Sequence, residues 1–261
     1  MMSEEFAVIH FFREAKRSSP LLWWASVLML LGMMVCFAFQ FSDARLIAGV
    51  SVWEKPAKFF LSLVVQALTL AWAISLIPKS GRGVKTATWM FVAALVLEMS
   101  YMIFRASRAE ASHFNTGTAF AAIMYAMMGL GALTLTATSA FIGWRVWQQR
   151  GSDLMRLAAG VGLMLGALLG TLAGGYLSSH TSHWIGGDMN DATGLGFFHW
   201  STTGGDLRVA HFVGLHTAQA VPLAALLGSK WAVYGVALLC LILMAATFGM
   251  AVMGIPLLWA A

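Results

Sequence analysis

Seven stretches of this chain, at about residues 21–41, 57–77, 87–104, 119–144, 157–177, 208–228 and 231–258, are apolar enough to cross a bilayer. At 1.5 Å of rise per helical residue, each spans a hydrocarbon core of roughly 30 Å. Only 10% of the residues are charged and 59% are hydrophobic, where a soluble domain carries about a quarter charged. A soluble fold of this size has nowhere to hide that much apolar surface. The expected fold is therefore all-α and polytopic: a single seven-helix transmembrane domain over 21–261, preceded by an interfacial segment at 1–20. Glu4, Glu5 and Glu14 in the leader, with no small-x-small cleavage site before a soluble domain, mark the first span as a retained signal anchor.

Lysine and arginine set the orientation. One set of span ends carries Arg13, Lys16, Arg17, Lys79, Arg82, Lys85, Arg145, Arg150, Arg156 and Lys230, ten cations against the six of Arg45, Lys55, Lys58, Arg105, Arg108 and Arg208. The bias places the N-terminus in the cytoplasm and the C-terminus outside, in a plasma (inner) membrane. The formal charge of +5 is thus a topology signal. No basic stripe with interleaved aromatics lies outside the spans, so nucleic acid is excluded as a partner and the lipid bilayer is the expected one. In the leader, Ser3 suits a helix cap, Ile9 and Phe12 suit the bilayer surface, and Pro20 admits the first span. Cys36 and Cys240 fall inside spans as packing residues.

Polar side chains inside the spans locate the chemistry. A carboxylate left in lipid costs roughly 2.5–3.5 kcal/mol or more, so Glu98 is expected to turn inward and be used. Counting 1.5 Å per residue from the outer ends puts Glu98 about 10 Å deep, His216 about 13 Å, and Gln66 about 15 Å, with Gln219 a turn below His216. Tyr101 and Tyr125 fall near the same layer. Lys58, Ser62, Gln66 and Thr69 share a face of the second span; Glu98, Tyr101 and Arg105 share one on the third; Arg208, His211, Leu215 and Gln219 form a stripe on the sixth. These faces are expected to converge on one pocket, with Glu98, Gln66 and Tyr101 as reactive groups. Plainer roles exist for each: headgroup snorkelling for Lys58 and Arg105, interhelical glue for Gln66 and Gln219, and a salt bridge to Arg105 or Lys58 for Glu98.

The connections at the cytoplasmic ends are short, and 178–206 is the one extended outer loop. Its Trp184, Phe197, Phe198 and Trp200 suit a lid over the helix ends. The loop echoes itself, His183-Trp184-Ile185-Gly186-Gly187-Asp188 against His199-Trp200 and Gly204-Gly205-Asp206, with Asp206 placed to cap the sixth helix. Asp188-Met189-Asn190-Asp191 lacks calcium-loop spacing. Gly162, Gly166, Gly170 and Gly174 recur every fourth residue, a bare face for a neighbouring helix, a partner membrane protein or a second copy of this chain.

Six of the seven histidines lie on the outer half. The leading reading is a membrane redox protein binding haem b or a quinone. His216 would be the axial ligand with His113 or His183 opposite, and Arg105, Arg108 and Arg208 would meet the propionates. His211, Lys58 and Gln219 would complete the cofactor surround, and Glu98 would accept a quinol proton. His216, His113 and His183 are also the candidate ligands for a transition metal, which with Glu98 as base would suit an intramembrane hydrolase. Two alternatives stand beside it: a transporter or receptor for a small polar or anionic solute, lined by Lys58, Arg105 and Glu98, and a non-catalytic subunit of a membrane complex. Gly214-Leu215-His216 resembles a tripeptide of the third subunit of haem–copper oxidases, but the rest of the chain does not follow that family. A retinal protein is disfavoured because 231–258 contains no lysine.

Overall fold

The structure is a computed structural model that describes residues 4–78 and 80–259, with side chains from Ile9 onward; Ser3 and Lys79 lie outside the described residues. It is all-helical apart from two short antiparallel strand pairs. Helix α1 (Glu4–Ser18) precedes seven helices that are long and apolar enough to span a membrane: α2 (Pro20–Gln40), α3 (Glu54–Ser75), α4 (Arg82–Ser107), α5 (Ala119–Gln148), α6 (Leu154–Ser178), α7 (Leu207–Ala224) and α8 (Lys230–Val252). A 3-10 turn, Ala225–Leu227, extends α7.

Local chemistry sets the helix ends. Pro20 occupies the first turn of α2, where its missing N–H costs nothing. Thr118, Asp153, Asp206 and Ser229 cap α5, α6, α7 and α8 by accepting backbone N–H groups at Ala121, Arg156, Arg208 and Trp231. The final span stops at Val252, short of the expected 258, because Gly254 takes a left-handed φ of 73° and Pro256 follows.

Lipid supplies no hydrophobic drive between helices, so close packing and hydrogen bonds must hold the bundle. The helices pack in sequence, α2 on α3 and then α4 through α8, while α1 lies along α3 with Phe11 6.3 Å from Trp72. Gly32 makes room for the Phe60 ring. The glycine ridge of α6 is filled within the chain: Gly162, Gly166 and Gly170 face Thr217, Ala218 and Leu215 of α7, and Gly174 faces His211. The face expected to suit a partner protein or a second copy is thus covered by α7. Between α3 and α4 the contact is made instead by large side chains, with Phe91, Leu95 and Leu70 fully buried.

Three connections meet at one end of the bundle. Residues 41–53 carry the hairpin β1 (Leu46–Ile47) and β2 (Val50–Ser51). Residues 179–206 carry β3 (Trp184–Ile185) and β4 (Gly205–Asp206), which pair antiparallel with Trp184 opposite Asp206. The two halves of the Gly-Gly-Asp echo therefore face each other. A Cβ at Gly187 would sit 2.6 Å from the Gly204 nitrogen, which is why glycine stands on both sides. The Asp191 N–H donates to the Ala48 carbonyl, Arg45 Nη1 donates to the Ser107 carbonyl at the end of α4, and Phe114 in the third connection, 108–118, lies 6.4 Å from His183, so the three connections form one cover.

Candidate functional site

Gln66 on α3 and Gln219 on α7 meet inside the bundle. Gln219 Nε2 donates to Gln66 Oε1 and to Thr69 Oγ1, each at 3.1 Å, and Gln66 Nε2 donates to Ser139 Oγ on α5 at 3.0 Å. The Ser139 and Thr69 hydroxyls spend their own protons on the carbonyls of Leu135 and Val65, so they face the amides as acceptors. Each glutamine lies 12 residues inside the loop-rich start of its helix, about 18 Å deep at 1.5 Å per residue. This three-helix layer is the floor of the site.

Above the floor, α3 and α7 make no extended backbone contact. Lys55, Phe59, Ser62 and Gln66 line one face of α3; Arg208, Phe212 and Gln219 line the opposing face of α7. Lys55 and Ser62 are solvent-exposed and Phe59 is 37% exposed, although the face they share leads down to the paired glutamines. The Phe59 ring lies 5.6 Å from His113, which lies 6.1 Å from Tyr125 on α5, so this face looks into the bundle rather than out to lipid. The two faces bound a candidate cleft, roofed by the loop cover and closed by amides at mid-depth. A separate shallow cavity of about 10 Å³, lined by Asp206, Val209, Thr247, Met250, Ala251, Ile255 and Leu257, lies on the α8 side of α7.

Charged side chains tie the mouth of the cleft together. Glu54 accepts from Lys58 Nζ at 2.8 Å and from His199 Nε2 at 2.5 Å, joining the long loop to α3. Arg208 forks onto Asp206, reaches Asp191 at 2.8 Å and donates to the His199 carbonyl at 2.6 Å. The 3-10 turn Gly196–Phe198 then lies across the gap, with Phe198 5.0 Å from Phe212 and Lys58 5.4 Å above the Phe197 ring. Lys55 differs from its neighbours. Protein surrounds it and it feels the charges of Arg208 and Asp191, yet its side chain stays open to solvent. Among the described residues no carboxylate is close enough to pair with it, since Asp191 and Asp206 hold Arg208 and Glu54 holds Lys58.

The histidines serve this frame in different ways. His211 Nδ1 donates to the Gly170 carbonyl at 3.0 Å, leaving Nε2 as an acceptor in the neutral ring. His113 Nδ1 pairs with Ser112 Oγ at 3.0 Å. Burial holds His113 well below its ordinary value of 6.5, with the Lys55 and His211 charges adding to the effect. Burial also lowers His183, partly offset by its 3.4 Å contact to Asp191. For Asp191, burial pushes upward, but the His183 hydrogen bond and the Arg208 charge together hold it below 3.8. His180 turns away to the Tyr176 carbonyl. The His216 ring lies 4.1 Å from Phe212, tilted by 49°, beside Gln219. Among the described residues, no group of three or more His, Cys, Asp or Glu side chains is placed to hold a metal ion, and His113, His183 and His216 form no such group.

The expected residues of the third span stand apart from the cleft. Glu98 is 5% exposed and faces Gly131 on α5, not Arg105 or Lys58. Arg105 instead pairs with Glu110 at 2.7 Å, and Arg108 reaches the same carboxylate at 3.5 Å from the surface. The structure thus brings together Gln66, Gln219, Lys58, Arg208, His113 and His211, and leaves Glu98, Tyr101, Arg105 and Arg108 on another interface. Sequence reasoning missed Glu54, Lys55, Asp191 and Ser139. The Glu54/Lys58 spacing of four was a readable ion-pair signal, whereas Asp191 becomes visible only once the loop is folded. Comparison with protein-family models, with curated proteins and with solved structures finds no match for the chain.

Proposed function

We propose that this is a multi-pass membrane protein that binds a small carboxylate-bearing polar solute in the α3–α7 cleft, as a transporter or receptor. The observation that carries the reading is Lys55, an ammonium without an ion-pair partner at the mouth of a cleft floored by amides. A ligand carboxylate supplies the missing counter-charge; Ser62 and the second N–H of Gln66 offer hydrogen bonds to its polar remainder. Mouth charges otherwise balance, three cations (Lys55, Lys58, Arg208) against three carboxylates (Glu54, Asp191, Asp206), which favours a small mono-anion or zwitterion over a highly charged one. The excess of basic residues at the opposite end supports a cytoplasmic N-terminus, an extracytoplasmic C-terminus and a cleft opening outward from a plasma (inner) membrane.

The test is a binding titration on purified protein in nanodiscs, read by tryptophan fluorescence, with small carboxylates and their carboxamide analogues. Carboxylates are expected to bind and carboxamides not to, and Lys55→Met is expected to abolish the difference. Equal binding of both, or unchanged binding by Lys55→Met, overturns the proposal.

A quinone reading keeps one specific observation in its favour. Phe198 and Trp200 stack at 4.5 Å and continue through Phe212 to His216, an aromatic wall beside the glutamine floor. A redox-active lipid in an organic extract of the purified protein supports it. Haem has less support, because His211, His113 and His183 already engage Gly170, Ser112 and Asp191. A reducible Soret band would reverse that ranking.

A further inference from the structure

The α4–α5 interface carries two buried polar groups that the cleft does not use. Glu98 Oε1 has no hydrogen-bond partner among the described residues, and neither does the Tyr101 hydroxyl one turn above it. Both residues are 5% exposed. Glu98 is nine residues from the loop-rich end of α4, about 14 Å below it. Its carboxyl oxygen lies where a side chain at residue 131 would begin, since a Cβ built on Gly131 would fall 2.2 Å from Oε1. Glycine at that position of α5 is what admits the carboxyl. An ionised carboxylate with an unmet oxygen in such a setting is strongly disfavoured; a protonated one needs far less solvation.

We propose that Glu98 is a proton-binding site, protonated in the resting protein at neutral pH and exchanging with the loop-rich side past Tyr101 and the Arg105–Glu110 pair. The route follows one face of α4, because Glu98, Tyr101 and Arg105 stand at i, i+3 and i+7. Arg105 Nη1 meets Glu110 Oε2 at 2.7 Å, and Glu110 is 36% exposed at its side chain, so it touches water. The titratable and charged groups facing this interface are Tyr101 and Arg105 on α4 and Glu110 from the following loop; α5 presents Gly131. The Arg105 guanidinium lies 5.9 Å from the Tyr101 ring but is held upward by Glu110, away from Glu98. Loss of the proton would leave a bare charge against α5, so protonation is coupled to α4–α5 contact. The site is independent of the solute proposed for the α3–α7 cleft.

The experiment is infrared spectroscopy of the purified full chain in lipid at neutral pH, comparing the wild type with Glu98→Gln. The expected result is a carbonyl stretch of a protonated carboxylic acid that disappears in Glu98→Gln, shifts in Glu98→Asp, and moves on transfer to deuterated water more slowly in Tyr101→Phe. If Glu98→Gln does not fold, the Glu98→Asp shift carries the same information. Loss of a carboxylate band instead of an acid band in Glu98→Gln, or an unchanged spectrum in Glu98→Asp, overturns the site. An unchanged deuteration rate in Tyr101→Phe overturns the route.

Discussion

The glutamine floor makes a prediction with internal arithmetic. Gln219→Leu removes two hydrogen bonds, to Gln66 and to Thr69; Gln66→Leu removes two, from Gln219 and to Ser139; the double variant removes three because one bond is shared. Interhelical hydrogen bonds in membranes are worth about 0.6 kcal/mol on average and about 1.7 at most. Each single substitution is therefore expected to cost about 1.2 kcal/mol and the double about 1.8, giving a coupling near one bond, about 0.6 kcal/mol. Leucine preserves the bulk, and the Ser139 and Thr69 hydroxyls left behind still donate to Leu135 and Val65; Gln66 Oε1 in Gln219→Leu and one Gln219 N–H in Gln66→Leu lose their partner, which raises the single losses and the coupling above these values. Reversible unfolding in mixed micelles, run on all four proteins of the cycle, measures the coupling. Additive losses, with a coupling indistinguishable from zero, would refute direct contact of the two amides and remove the floor from the cleft.

Three other perturbations follow from the same geometry. Arg208→Met strips the partner from Asp206, whose side chain is 1% exposed, and from Asp191 at 13%; breaking a buried pair this way costs about 3 kcal/mol, the low end because Arg208 is itself 26% exposed, and thermal unfolding reads it. Gly166→Ala would put a Cβ 2.8 Å from the Ala218 backbone nitrogen, whereas Gly170→Ala meets only the movable end of Leu215. The first is expected to lower stability by about 1–2 kcal/mol after helix propensity is credited, and the second by much less. In Glu98→Gln, which removes the opposing slope of the carboxyl proposed to be protonated, stability is expected to fall as pH drops below 6.5, where the unfolded chain protonates His113 and His183 and the folded chain does not. The limiting slope is about 1.4 kcal/mol per pH unit for each imidazole. Asp191 stays ionised down past 3.8, so its pairing with Arg208 persists through that window, and a pH-independent unfolding midpoint between 7 and 5 in that variant would contradict the burial of both rings.

The spans were legible because lipid demands length and apolarity together, and both are local properties of sequence. So were the α7 cap at Asp206, the shared depth of Gln66 and Gln219, and the close approach promised by the α6 glycines. Facing directions were not. Periodicity put Glu98, Tyr101 and Arg105 on one face of α4 correctly, yet it holds no information on whether that face meets α3, α5 or α7. Gly131 decided the matter: it leaves room on α5 for the carboxyl of Glu98, a pairing of residues 33 positions apart with no periodic signature. Asp191 was hidden for a similar reason. Its partners Arg208 and His183 come to it through the β3–β4 pairing, whose register depends on glycine backbones passing at contact distance.

The two polar layers are built on opposite principles, and that difference bears on what each can do. In the α3–α7 floor, the amide donors of Gln219 and one of Gln66 are matched to acceptors, which fixes a shape without charge; such a layer suits recognition and resists pH. At the α4–α5 contact, the carboxyl and the phenol are left unmatched in a dry interface, an arrangement that holds no shape of its own and answers chiefly to proton occupancy. Both layers act on α5, through Ser139 in one case and Gly131 in the other, eight residues apart, about 12 Å along the helix. A helix that takes a hydrogen bond from the cleft floor at one level and abuts a protonatable carboxyl at another is the element through which the two sites would sense each other. Solute affinity in the cleft should therefore depend on pH in the wild type and lose that dependence in Glu98→Gln; parallel pH profiles for the two proteins would show that α5 transmits nothing between them.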